Sequence, residues 1–339
     1  MSVIEVVEAG PYTSVQDTGR YGAQRYGLGT AGAMDTLSLA IANVLVSQPA
    51  GAAAIEIGPL PARFRITDGA VRLALAGGVR GATVQGRALP MGETVLLAEG
   101  DVLALRACSQ GVFSYLAFEG GIDGEPVFGS FSVHARSGIG SPYSRALLPG
   151  DRLNVGGAAV RGAERSLAAP TRGSGALRVV LGPQDDHFEP ETIAQFLDTE
   201  WKISATSDRM GYRLEGPALR HKGSPNILSD GIANGSVQIP GNGLPLLLLA
   251  DRGTTGGYPK LATIISADLG RLAQVPVGSV IRFQAIAVEE AQAEARAHAA
   301  LISSLPRAVR DVGGGDLSSE FLLASNLAGA ATSADDWSI

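Results

Sequence analysis

Ten consecutive residues in the second half of the chain concentrate most of its potential chemistry: Asp251-Arg252-Gly253-Thr254-Thr255-Gly256-Gly257-Tyr258-Pro259-Lys260. They offer one carboxylate, two cations, two hydroxyls and a phenol around a Gly-Gly pair. Small glycines let a ligand approach backbone N–H groups closely. Adjacent threonines can hydrogen-bond an amide or a carboxylate, and Arg252 and Lys260 can hold an anion. Asp251 can accept a proton from a nitrogen. The same residues also suit a tight turn in which the Asp and the threonines bond back to their own backbone. Two further Gly-punctuated polar stretches stand out. Ser207-Asp208-Arg209-Met210-Gly211-Tyr212-Arg213-Leu214-Glu215-Gly216 clusters Asp208, Arg209 and Arg213 with Glu215, a pattern that also fits a surface ion-pair network on a hairpin. Thr13-Ser14-Val15-Gln16-Asp17-Thr18-Gly19-Arg20, followed by Gly32-Ala33-Met34-Asp35, reads as a capped turn that orders an N-terminal arm.

The elements that must position these stretches are mostly strands. A short apolar run, 246–250, forms a buried strand from whose end the 251–260 loop emerges, with Gln238-Ile239-Pro240 leading toward it. From 62 to 155 the larger apolar residues alternate, as in Val71-Arg72-Leu73-Ala74-Leu75, and Gly-containing turns recur at short intervals, the pattern of a β-barrel or sandwich. A linker rich in Gly, Ala, Pro and Ser follows, and a second β-rich unit starts at Leu177-Arg178-Val179-Val180-Leu181. Helices are expected over 34–47, near 190–198, where Pro190 suits a first turn, and over 288–301. Expected organisation is an arm and helix over 1–60, a first barrel over 61–160, a linker over 161–176, a second barrel over 177–287, and a C-terminal helix with a flexible tail over 288–339. Leu322-Leu323 and Leu327 in that tail suit docking on a partner or packing on their own chain. Pro149-Gly150-Asp151-Arg152-Leu153 and Pro276-Val277-Gly278-Ser279-Val280-Ile281 each read as a turn feeding a strand, a weak internal echo.

Composition narrows the function classes. The chain has 339 residues, 45% hydrophobic and 18% charged, enough to bury the cores of two ordinary domains. A net charge of −6 and 5% aromatic residues argue against a nucleic-acid surface. No apolar run is long enough to span a bilayer, and no signal peptide is evident at the N-terminus, so a cytoplasmic protein is expected. The one cysteine, Cys108, excludes an internal disulfide and reads as a core position. His134, His187, His221 and His298 are scattered without a local metal signature, so no metal is expected in this chain. Neither a phosphate-binding P-loop nor a Gly-x-Ser-x-Gly nucleophile elbow occurs. The Met-Lys pair of a biotinylated lysine is missing too, so any biotin must come from a partner.

Taken in order, the stretches 13–20, 32–35, 207–216, 235–240 and 251–259, with Asp268-Leu269, Ala273-Gln274 and Gly278, resemble the biotin-dependent carboxyltransferase family, also called allophanate hydrolase subunit 2. Its members include the C subunit of 5-oxoprolinase, an antagonist of a sporulation-kinase inhibitor, and the carboxyltransferase region of urea carboxylase. The resemblance implies a mainly β fold of two cyclophilin-like β-barrel domains with a few short helices. It also implies a B-subunit partner, in a heterodimer or heterotetramer, with an A subunit joining in some systems. The expected substrate is a small amide or lactam, and ATP would be held by the complex. Catalytic roles then fall on Asp251, Tyr258 and Lys260. Substrate contacts fall on Arg252, Thr254, Thr255, Gly256, Gly257, Gln238, Pro240, Asp208, Arg209 and Arg213. Structural or interface roles fall on Gln16, Asp17, Arg20, Met34 and Asp35. The chain departs from the family at Gly253, usually a Gln, and at Phe131, usually an Arg, departures that bear on the substrate. Three functions follow: the C subunit of an ATP-dependent 5-oxoprolinase, the acceptor half of a carboxyltransferase fed by a partner's carboxybiotin, or a regulatory binder of a kinase inhibitor that resembles the B subunit.

Overall fold

The computed structural model describes residues 1–156 and 162–312. Its first sheet has nine strands. Six run in the order Ser14–Gln16, Ala54–Ile57, Val102–Phe118, Ala62–Asp68, Ser2–Glu8, Arg152–Val155. Ala70–Val84 pairs along much of Val102–Phe118 and also with Arg87–Leu89 and Thr94–Ala98. Strict alternation builds it: Ala62–Asp68 buries every second residue at its start, so one face goes to the core and the other to solvent. Register shifts between Gly77 and Ala82 mark bulges in the long central pair, and such bulges bend and twist a strand. Residues 1–60 do not form a separate arm. Three of these strands come from them, with β-periodic stretches too short to stand out before their pairing partners are known.

The second sheet has eight strands in the order Val280–Ile281, Trp201–Ile203, Gly211–Glu215, Leu246–Leu248, Ser236–Gln238, Lys260–Ile264, Leu177–Leu181, Phe283–Ala285. Its last pair is parallel, while Lys260–Ile264 pairs antiparallel with both of its neighbours. The fold is therefore mainly β, a two-barrel arrangement. Both halves end on a returning strand after the turns read as an echo in the sequence.

Among the described residues, four α-helices serve these sheets. α1 (Thr36–Leu45) is capped by Asp35, whose side chain accepts from the Ser38 N–H, the usual remedy for free N–H groups at a helix start. Every residue from Leu37 to Leu45 is buried, more than one amphipathic face would give. The cause is that α1 lies between the first sheet and helices α3 (Ser266–Ala273) and α4 (Val288–Ala308). α2 (Pro190–Asp198) starts on its proline and packs Phe196 against Trp201 and Phe283. α4 extends past the expected 301 to Ala308, with Leu305 buried near its end.

Two clusters of buried residues result. One fills the first barrel, with Ile4, Phe64, Leu75, Leu116 and Leu153 among its members. The other runs from α1 and the outward side of the first sheet, through Ala76, Phe113 and Tyr115, into the second barrel at Trp201, Val237 and Leu247. The halves thus share a core. The expected linker is anchored as well: Leu167 is buried, and Arg165–Ser166 pairs with Arg310–Asp311. The glycine run at 313–315 and the leucines at 322, 323 and 327 lie outside the described residues.

Candidate functional site

The turn at 207–210 joins two strands of the second sheet, and Asp208 shapes it. One Asp208 oxygen accepts from the N–H groups of Met210 (2.8 Å) and Gly211 (3.2 Å), a side-chain-to-backbone turn that presents Arg209. Leu249 N–H bonds the Met210 carbonyl and Asp251 N–H bonds the Arg209 carbonyl at 3.0 Å, fastening this turn to the end of the Leu246–Leu248 strand. Side chains complete the link: Arg209 Nε and Nη2 donate to the two oxygens of Asp251 at 2.9 and 2.8 Å. Such a fork fixes a carboxylate's plane as well as its position.

The guanidinium then reaches across the junction between the halves. Nη2 donates to the Gly32 carbonyl at 2.8 Å, and Nη1 pairs with Glu56. Gly32 has φ +98°, and an added Cβ would stand 3.0 Å from the Gly19 Cα and the Thr18 carbonyl, so only glycine presents that carbonyl without strain. Glu56 is fully buried between Ile55 and Ile57 and also accepts from Met34 N–H (2.8 Å) and the Tyr115 hydroxyl (2.7 Å). Burial pushes its carboxyl above the ordinary value, against the pull of Arg209. Tyr115 is raised well above a free phenol, first by burial and then by Glu56. A buried charge set of this kind persists only when each member is bonded.

Asp208, Arg209 and Asp251 line a cavity of about 170 Å³ between the halves, with Tyr12, Gln16, His134 and Arg136. A second cavity of about 400 Å³ shares Tyr12, Asp208 and Arg209 with it and is also lined by Cys108, Val112, Tyr212 and Val277. Cys108 is therefore not a plain core position: it is half-buried, and its sulfur accepts from Arg80 Nη2 at 2.9 Å.

The 251–260 loop divides into separate neighbourhoods. Arg252 does not join Asp251: it turns inward to the carbonyls of Ile232 and Leu249 and to the Thr30 hydroxyl, each at 3.2 Å, and burial lowers its pKa. Lys260 Nζ, buried, pairs with Asp230 at 2.9 Å, which holds the Asp230 carboxyl below its ordinary value. Gln238 sits opposite Lys260 in the sheet and bonds the Tyr258 carbonyl at 3.4 Å. A Cβ on Gly256 would come within 2.5 Å of the Gln238 amide, so the glycine allows that approach. Thr255–Gly256 pairs with Asp230–Gly231, and the Gly257 carbonyl accepts from Ile227 N–H. Thr254 is half-buried, as is Pro240, while Thr255 and Tyr258 are exposed. Arg252 and Lys260 do not converge on one anion, because each already has its own partners.

The other expected residues fall as follows. The 207–216 stretch is not a surface network: Arg209 is buried, Arg213 is exposed, and Glu215 pairs with Lys202 at 3.5 Å. Asp17 ties the 129–133 stretch to the N-terminal strand, accepting from Gly19 N–H, Phe131 N–H and the Ser130 and Ser132 hydroxyls. Arg20 donates to the Val127 and Ser132 carbonyls. Asp35 accepts from Arg172 and Gln274 as well as capping α1. Sequence reasoning missed Glu56, Tyr115 and Tyr12, left His134 as one of four scattered histidines, and saw Asp230 only as the start of the polar stretch that runs to Lys260. Glu56 alone carried a visible signal, a charge between two isoleucines after three alanines, which in a buried strand demands a partner.

Comparisons with known proteins fit this architecture. The family model described as carboxyltransferase domain, subdomain A and B, matches residues 26–285. The 5-oxoprolinase C subunit of Escherichia coli K12 is 39% identical over 291 residues, covering 85% of this chain and 93% of that protein. The crystal structure of TTHA0988 superposes with a TM-score of 0.75 at 31% identity, over 84% of this chain and 56% of that one. The crystal structure of Kluyveromyces lactis urea carboxylase gives a TM-score of 0.82 at 26% identity, over 94% of this chain. The chain thus spans just over half of the first solved structure and 30% of the second.

Proposed function

Because the chain belongs to the family of carboxyltransferase domains, subdomains A and B, we propose that it is the C subunit of a cytoplasmic, ATP-dependent 5-oxoprolinase that opens the lactam of 5-oxoproline to glutamate. The observation that carries this reading is the 39% identity to a protein of that name across nearly its whole length. The junction cavity supports it chemically. At about 170 Å³ it suits a small amide rather than a nucleotide, and it is bordered by a carboxylate held in a fixed plane by Arg209.

Lactam opening needs a group to manage the nitrogen's proton and donors for the oxygen that gains charge. We assign the first role to Asp251. The exposed Thr255 and Tyr258 form a surface on which the partner B subunit would close the site. ATP is held by the complex. Lys260, expected to act with Asp251, pairs instead with Asp230, and we give that pair a positioning role for the 254–258 loop. The test is turnover by the co-purified A, B and C subunits. ATP-dependent glutamate release that requires this chain supports the reading, and a stable complex with no release overturns it.

One observation favours a second reading. The superposition on urea carboxylase covers 94% of this chain. In that case the same cavity would receive a urea-like amide, and a partner's carboxybiotin would supply the carboxyl group. Incorporation of labelled bicarbonate into an amide, given a biotin carboxylase with its carrier domain, separates the two.

A further inference from the structure

Three residues line both the junction cavity beside Asp251 and the larger one beside Cys108: Tyr12, Asp208 and Arg209. What borders two neighbouring spaces is the wall between them. Asp208 is spent on its own turn, and Arg209 is fixed by Asp251, Glu56 and the Gly32 carbonyl. Tyr12 is held differently. It is half-buried, and no hydrogen bond holds its hydroxyl among the described residues. Its near end lies on the first half. A Cβ on Gly58 would stand 2.8 Å from the Tyr12 Cβ and 3.4 Å from its Cδ2, so the glycine leaves room for the ring there. Its far end reaches the second half. Burial raises the pKa of the phenol and the Asp208 carboxylate adds to the rise, while Tyr212 feels the Tyr12 phenol in turn. The ring thus crosses the gap between the halves, from Gly58 to the neighbourhood of Asp208.

The two spaces differ in size and in walls. The one beside Asp251 holds about 170 Å³, below the range that takes drug-sized ligands, whereas the other, at about 400 Å³, lies within it. Val112, Phe113, Tyr212, Val275 and Val277 give the larger one apolar walls. We propose that the Tyr12 ring is the partition that limits the site beside Asp251 to small lactams or amides and shuts out those carrying an apolar substituent. The inference rests on the reading of that cavity as the amide site and adds the residue that sets its size. An aromatic ring suits the task because it is rigid and has only two torsions to fix. With the ring gone the two spaces join, and an apolar group on the ligand gains the walls of the larger one in place of water. A free lactam is thereby told apart from the same lactam joined through its carboxyl to a larger group.

Calorimetric titration of the assembled complex tests this with two ligand pairs, 5-oxoproline against its benzylamide and urea against benzylurea. Wild-type protein is expected to favour the small member of the pair it binds by roughly 30-fold, the order of an overpacking cost. Tyr12→Ala should bring that ratio to about one or below, as the benzyl group finds apolar cover. Tyr12→Phe should keep the wild-type ratio, because the ring and not the hydroxyl makes the partition. Tyr12→Leu, which still covers Gly58, should fall between, and it carries the test if Tyr12→Ala does not fold. Cys108, the one cysteine of the chain, reports where the ligand sits. The benzylated ligand should slow alkylation of Cys108 in Tyr12→Ala and leave it unchanged in the wild type, read by mass spectrometry of this chain. A wild-type ratio near one, a ratio unmoved by the Ala and Leu variants, equal protection of Cys108 in both proteins, or no binding of either pair overturns the inference. A shifted ratio in either pair without glutamate release sinks the oxoprolinase reading and keeps the inference. Glutamate release with an unmoved ratio does the reverse.

Discussion

At the scale of single residues, Arg209 is the centre of the site, because it joins a carboxylate exposed to the cavity to one that is wholly buried. The two ends predict different phenotypes. Asp251→Asn keeps size and most hydrogen bonding but removes the proton acceptor, so glutamate release by the complex should fall by about 10²- to 10⁴-fold, while assembly of the complex on a sizing column is unchanged. Arg209→Met removes the cation that pairs with Glu56 in the core and should cost about 3–5 kcal/mol in a urea denaturation midpoint series. Adding Glu56→Gln should return part of that loss, since the pair fails together. If Arg209→Met unfolds like the wild type, the buried network does not hold the junction.

Among the elements, α4 carries a pH-sensitive contact. His298 is half-buried and lines a cavity with Arg172, Asp268 and Arg271. Its pKa is lowered, first by burial and then by Arg172, with Asp35 and Asp268 pulling the other way. A histidine lowered in the fold stays neutral while the unfolded chain takes up its proton first. Its contribution is therefore complete above the free value of about 6.5 and is lost as pH falls through the lowered value. The melting temperature should drop as pH falls below about 6.5, and less in His298→Gln. Equal slopes would show that α4 does not sense protonation. Nearby, Asp268 is lowered for a different reason: burial would raise it, but Arg178 and Arg271 hold it below the usual carboxylate range.

Over the whole molecule, the continuous cluster from α1 into the second barrel makes the halves one folding unit rather than beads on a linker. Gln274 adds polar stitching, accepting from the N–H groups of Val112 and Phe113 and donating to Asp35 and the Phe113 carbonyl. Thermal unfolding should therefore show a single transition, with far-ultraviolet circular dichroism and tryptophan fluorescence coincident. Trp201 reports from inside the second barrel. Two separated transitions would contradict the shared core.

The sequence by itself determined the strand-rich class, the start of α2 at its proline, the strand that delivers Asp251, and the family, because alternation, helix-start chemistry and ordered motifs are local signals. It also held an echo that went unread. Ser-Val-Gln recurs at 14–16 and 236–238, each time as a fully buried strand, placing a glutamine beside the junction cavity in one half and beside Lys260 in the other. Tertiary structure alone decided which polar residues meet. Arg209 reads as a surface charge until Glu56, 153 positions earlier, is folded beneath it. Arg252 and Lys260 read as one anion clamp until pairing of Thr255–Gly256 with Asp230–Gly231 sends them to different partners. Burial depends on what packs across the junction, and a hydrogen-bond vacancy such as Gln16 Oε1 exists only once every other donor has been spent.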